Sequence, residues 1–192
     1  MKSSGAVMLL LWLVVCVGAA DLRPPQDDAL MTEMRKELRA AKEALQVREQ
    51  PRVAFSLSFA VNEDKHIGPF DQDTTLIFNF PFVNVGNHYD TVKGVFTVPR
   101  CGVYQFHYHV FAGGDHGAGA KLEVNGNHMV SAYNHKAPHD INTSQTVLLD
   151  LKTGDRVCLR LEKGWWLAAY TAHPTTFSGM LLFEAPTITP VA

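Results

Sequence analysis

Gly102-Val103-Tyr104-Gln105-Phe106-His107-Tyr108-His109-Val110 decides the fold. Tyr104, Phe106, Tyr108 and Val110 recur at every second position, with Val103, Gln105, His107 and His109 between them. A period of two puts the rows on opposite faces of a β-strand, and aromatic and β-branched side chains suit a pleated surface.

The same period continues on both sides. Val53, Phe55, Leu57, Phe59 and Val61 alternate with Ala54, Ser56, Ser58 and Ala60, and Val92, Gly94, Phe96 and Val98 with Lys93, Val95 and Thr97. Comparable runs cover Thr75 to Phe80, Ala120 to Val124, Thr146 to Leu151, Arg156 to Leu161 and Thr176 to Phe183. Asn125-Gly126 between two such runs is a hairpin signal, because both central positions of that turn need positive φ. Gly113 to Gly119 reads as a flexible loop and Gly154-Asp155 as another turn. Many short strands with no interleaved helices predict an all-β sandwich or jelly roll.

The first fifty residues differ. Lys2, the apolar run Val7 to Val17 and the small residues Gly18-Ala19-Ala20 read as a secretory signal peptide over 1–20. The run is too short for a membrane-spanning helix, so the chain is expected to be secreted, with no membrane span. Asp27 to Glu49 is rich in good helix formers, and Pro51 should stop the helix. Met31, Met34, Leu38, Ala41 and Leu45 recur at alternating spacings of four and three, the a/d seam of a coiled coil. Two readings follow: an amphipathic arm on its own domain, or a short oligomerisation coil over 21–50 ahead of a head at 51–192.

Composition removes several functions. A net charge of −2 gives no basic surface for nucleic acid. No nucleophile elbow, phosphate loop, zinc-protease helix or cysteine–zinc pattern occurs, so no enzyme is expected. Beyond the signal segment two cysteines remain, Cys101 and Cys158. In an oxidising compartment they form either a disulfide or two separate thiols. Asn142-Thr143-Ser144 is a glycosylation sequon in a polar segment ahead of a strand. His107 and His109 share a strand face at a spacing that suits a transition metal, but no third ligand is apparent; packed or interface roles account for them, and protonating them in mild acid is expected to loosen an assembly. Trp165 and Trp166 are adjacent and should face opposite ways, one in the core and one at an interface or exposed.

Phe78, Asn84, Tyr89, Phe96, Gly102, Tyr104, Phe106 and Tyr108 fill, at every interval, a pattern that resembles the signature of the complement-1q globular-head family. Pro51 to Phe55, Leu149 to Val157 and Phe177 to Phe183 resemble its opening, late and closing strands. The resemblance implies a jelly-roll β-sandwich of about ten strands, related to tumour necrosis factor, whose heads associate as homotrimers. A trimer also explains why the strand at Val103 to Val110 carries large groups on both faces, where an isolated sandwich would show a polar outer face.

The sequence departs from the family in lacking collagen Gly-X-Y repeats, since Gly is absent between Asp21 and Ile67. Some relatives bind calcium in a loop that corresponds to Tyr133 to Thr143, where Asn134 and Asp140 offer hard oxygen side chains as weak candidates. The resemblance implies a secreted recognition protein of innate immunity or, alternatively, a signalling trimer that engages a cell-surface receptor, as adipokine-like or synaptic-organiser-like relatives do. Partners are then a microbial surface, a cell-surface glycoprotein or a receptor. Contacts are expected from the Gly113 to Gly119 loop, the Asn125-Gly126 turn and the His135 to His139 segment at one end of the head.

Overall fold

The computed structural model describes residues 25–48 and 52–185. The signal segment with its cleavage site after Ala20, and the helix stop at Pro51, lie outside the described residues. The chain divides between Gln50 and Pro51 into two compact units. The first holds one helix, α1 (Pro25–Arg48). Met31, Met34 and Leu38 of the seam are 49%, 56% and 70% exposed, and Ala41 is exposed as well. Leu45 lies in the last turns, outside the residues whose side chains are described.

The second unit is all β. Its strands are β1 (Ala54–Ser58), β2 (Lys65–Ile67), β3 (Thr74–Thr75), β4 (Phe80–Val85), β5 (Tyr89–Asp90), β6 (Val95–Thr97), β7 (Gly102–Gly114), β8 (Ala118–Val124), β9 (Asn127–Asn134), β10 (Ala137–Leu151), β11 (Arg156–Leu161), β12 (Leu167–Ala169) and β13 (Thr176–Glu184). One sheet runs β10-β7-β13-β1-β4, the other β5-β6-β11-β8-β9 with β3 beside β11, and β12 pairs β2. These sheets face each other as the expected jelly-roll sandwich, with their inner rows interdigitated. Phe55 lies at the centre, its ring centroid 4.8 Å from Phe96, 5.0 Å from Phe177 and 5.3 Å from Tyr89. Burying one such ring contributes about 1.5–3 kcal/mol.

Four local expectations are corrected. Val92 to Val98 is not one strand: the Asp90 carboxylate accepts the Val92 and Lys93 N–H groups and closes a turn, and only Val95–Thr97 pairs. Thr75 to Phe80 is likewise divided between β3 and β4. Gly113 to Gly119 is not a flexible loop, because β7 continues to Gly114, β8 starts at Ala118, and only Asp115 between them is exposed. Asn142 does not precede a strand but sits within β10.

Candidate binding surfaces

The family-signature residues build structure. Phe78 is buried and stacks on Phe59 at 4.4 Å. The Asn84 amide donates to the Tyr89 carbonyl at 2.9 Å and accepts the Tyr89 N–H at 3.3 Å, tying β4 to β5 across the turn at Gly86. Phe96 and Phe106 pack on Phe55 in the core. Tyr104 donates to the Arg100 carbonyl at 2.8 Å, and Tyr108 to those of Ala120 and Val130 at 3.2 Å each. Burial pushes the Tyr104 hydroxyl up to about 12 and raises those of Tyr89 and Tyr108 further. At Gly102 a Cβ would sit 2.4 Å from the Phe183 carbonyl oxygen, so the close approach of β13 requires glycine there.

The outer face of the five-stranded sheet is banded. Register aligns Thr146, His107, Ser178, Ser56 and Val83 in one row. Here His107 Nδ1 bonds Thr146 Oγ1 at 2.8 Å, and Ser178 donates to Ser56 Oγ at 2.8 Å. The adjacent row is Leu148, Gln105, Met180, Ala54 and Val85, with Leu148 58% exposed and Met180 and Val85 also open. His109 pairs with Ser144 and Thr176. Among the described residues no three His, Cys, Asp or Glu side chains converge to hold a metal. Asn134 ends β9 against Ala118, its amide nitrogen buried and unbonded, while Asp140 lies exposed at the β10 irregularity.

The two cysteines are free thiols, which corrects the disulfide alternative. Cys158 alternates with the buried Val157 and Leu159, so it faces outward from β11, while Cys101 precedes β7 in the other sheet with its Sγ 3.7 Å from Thr153 Oγ1. Burial pushes the Cys158 thiol up; bonds from Thr153 hold Cys101 below the ordinary thiol value.

The expected contact loops lie at two ends, not one. Gly102 pairs with Glu184, and Leu181 bonds Val53, so the head's first and last strands share the Gly102 end. Asn125-Gly126 lies there too: Asn125 bonds Asp155 and Arg156 just beyond Leu151, which pairs with Gly102. Ala137 pairs with Gly114 at the opposite, distal end, which therefore carries the β7–β8 turn and the His135 to His139 segment. The distal end also holds an aromatic cluster. Trp166 stacks on His66 at 4.2 Å and meets His116 edge-on, and Phe111 meets Tyr170.

Both tryptophans are half-buried, and of the two only Trp165 packs against the core. Trp165 lies over Gly119 on the outer face of the six-stranded sheet, where a Cβ on that glycine would approach the indole to 2.5 Å. Its ring centroid is 5.8 Å from that of Tyr133, and the two line a cleft of about 240 Å³ with Ala120, Lys121, Ser131 and Glu162. Lys121 Nζ bridges Asp73 at 3.4 Å and Glu162 at 3.3 Å. Burial alone would lower the Lys121 ammonium, but the two carboxylates outweigh it and hold it above its ordinary value. Sequence reading passed over this cleft, because Asp73, Lys121 and Glu162 are brought together only by strand packing; the adjacent glycines and tryptophans were its one visible trace.

Comparison with known proteins agrees with this architecture. A family profile described as C1q domain matches residues 54–182. Caprin-2 of Danio rerio is 35% identical over 146 residues, 70% of this chain but 14% of that protein, so the chain spans about a seventh of its relative. The globular domain of zebrafish complement 1qA protein superposes with a TM-score of 0.55 at 22% identity, covering 69% of this chain and 99% of that one. Eiger TNF from S. frugiperda gives 0.59 at 11% identity, over 74% of this chain and all of that one, and murine APRIL gives 0.54 at 12%, over 68% and 99%. The two sheets, the signature residues and the profile match agree: the chain belongs to the C1q domain family.

Proposed function

We propose that this chain is a secreted homotrimeric recognition protein that binds repetitive microbial surfaces by avidity. One observation carries the assembly: the five-stranded sheet exposes the row of Leu148, Met180 and Val85 on its outer face. Apolar patches of this kind mark interaction sites, and a closed symmetric assembly covers such a patch on every copy without leaving an open end. The exposed seam of Met31, Met34 and Leu38 on α1 supports the same reading. Weak contacts made by three heads combine, because later binding events are effectively intramolecular. Without Gly-X-Y repeats between Asp21 and Ile67, the described chain offers no collagen on which complement proteases would dock.

A second reading, a signalling trimer that engages one cell-surface receptor, is favoured by the likeness in fold to the tumour necrosis factor-like structures. Sedimentation of the secreted protein followed by binding to bacteria and to cultured cells separates the two. A trimer that coats bacteria supports recognition. Saturable attachment to a single cell receptor, with no attachment to bacteria, supports signalling, and a monomer refutes both.

A further inference from the structure

The Trp165–Tyr133 cleft has the chemistry of a sugar site. Its walls are two aromatic rings with centroids 5.8 Å apart and planes inclined by 47°. Trp165 is seated on bare backbone at Gly117 and Gly119, which fixes the ring, and Tyr133 is 55% exposed at the mouth. The rim is polar: the Lys121 ammonium, the Glu162 carboxylate and the Ser131 hydroxyl, the last bonded to His128 Nε2 at 2.8 Å. At about 240 Å³ the cleft is smaller than the roughly 300–1,000 Å³ of sites for drug-sized molecules, so it takes one ring-sized unit.

The charges select among ligands. Lys121 already faces two carboxylates, so it offers a phosphate or sulfate little unspent attraction. A purely apolar ligand would strip water from the rim and leave those groups unpaired. A pyranose meets both demands. Its C–H face lies against the electron-rich face of an aromatic ring, and its hydroxyls donate to Glu162 and accept from Lys121. The ion pairs hold both rim groups in place before the ligand arrives.

We propose that the cleft between Trp165 and Tyr133 binds a single neutral pyranose unit of a polysaccharide, with Lys121, Glu162 and Ser131 reading its hydroxyls. This rests on the recognition reading above and supplies its contact. The cleft lies on the six-stranded sheet, so assembly through the five-stranded sheet would leave the cleft of every copy uncovered.

The test titrates the full secreted chain with methyl glycosides of glucose, galactose, mannose and N-acetylglucosamine, read by tryptophan fluorescence and saturation-transfer NMR. Binding to an array of microbial polysaccharides and host-type N-glycans identifies the source. At least one glycoside should bind, and Tyr133→Ala and Glu162→Gln should each weaken it by roughly tenfold, as expected for losing one stacking or charge-assisted partner. Because Tyr133 is exposed and Glu162→Gln keeps the side-chain shape, one folded variant suffices. Binding by none of the glycosides, or undiminished binding by a folded variant, overturns the proposal. Attachment to bacteria is measured in parallel. Equal attachment by wild type and Tyr133→Ala refutes the cleft while leaving recognition intact. Glycoside binding that both variants lose, without bacterial attachment, upholds the cleft and refutes microbial recognition.

Discussion

Asn84 and Tyr89 hold each other through two reciprocal bonds, side-chain amide to carbonyl at 2.9 Å and backbone N–H to side-chain oxygen at 3.3 Å. The pair closes the turn that carries the chain from β4 in one sheet to β5 in the other. Tyr89 in turn accepts the Phe78 N–H on its hydroxyl, so three signature positions form one linked unit. Asn84→Ala removes a donor and an acceptor and leaves the Tyr89 backbone unsatisfied. It should cost about 1–3 kcal/mol of stability, measured by denaturant unfolding. A loss within experimental error would remove the clamp from the account.

How much of this was legible follows from what each residue answers to. The rows of Phe55 and Leu57, and of Tyr104, Phe106 and Tyr108, sit in the core as alternation requires, because strand period and burial are local properties. The turn at Asp90 was hidden by an apolar alternation that one carboxylate overrides, leaving Val92 78% exposed. The seats of Trp165 and Trp166 on Gly119 and Gly114 involve residues about fifty positions apart, and no local pattern reports such a pairing. The same holds for Lys121 meeting Asp73 and Glu162.

The thiols should differ in reactivity. Cys101 is held below the ordinary thiol value by bonds from Thr153, while burial, followed by the Glu123 carboxylate, raises Cys158. The thiolate is the nucleophile, so iodoacetamide at pH 8 should alkylate Cys101 well before Cys158 in the native protein, and both in denaturant. Peptide mapping reads this directly. Faster labelling of Cys158, or a bridge between the two, would contradict the structure.

Acid should destabilise the head within a defined window. Asp64 accepts the Thr171 N–H at 2.7 Å, Asp73 the Lys163 N–H at 2.9 Å, and Asp90 those of Val92 and Lys93. These bonds lower all three carboxyls below their ordinary value. A carboxyl with a lower folded than unfolded pKa binds fewer protons when folded, so its contribution is complete above about pH 4 and is lost as pH falls through the folded values. The part of the unfolding midpoint that these carboxyls supply should therefore stay level from neutral pH to about 5 and drop below about 4. The triple variant Asp64→Asn, Asp73→Asn and Asp90→Asn should flatten that drop; an unchanged drop would place its cause elsewhere.

Asn142 is exposed on β10 opposite Phe111, on the same sheet face as Leu148 but further along the strand toward the distal end, so a glycan there has to lie beyond the edge of the apolar row. Protein secreted from eukaryotic cells should carry a glycan there, so peptide-N-glycosidase should lower its mass and Asn142→Gln should abolish the shift. An unchanged mass would show the sequon to be unused.

Trimeric presentation should convert weak contacts into firm attachment. Its most direct test compares the secreted protein with the Leu148→Asp, Met180→Asp double variant, after sedimentation has established the size of each, on an immobilised microbial polysaccharide that the secreted protein binds. These substitutions charge the apolar row on the five-stranded sheet and leave the Trp165–Tyr133 cleft unaltered. The secreted protein should be a trimer that binds roughly 10²–10⁴-fold more tightly than the folded monomeric variant. Equal binding by trimer and monomer, or a double variant that remains trimeric, would contradict this.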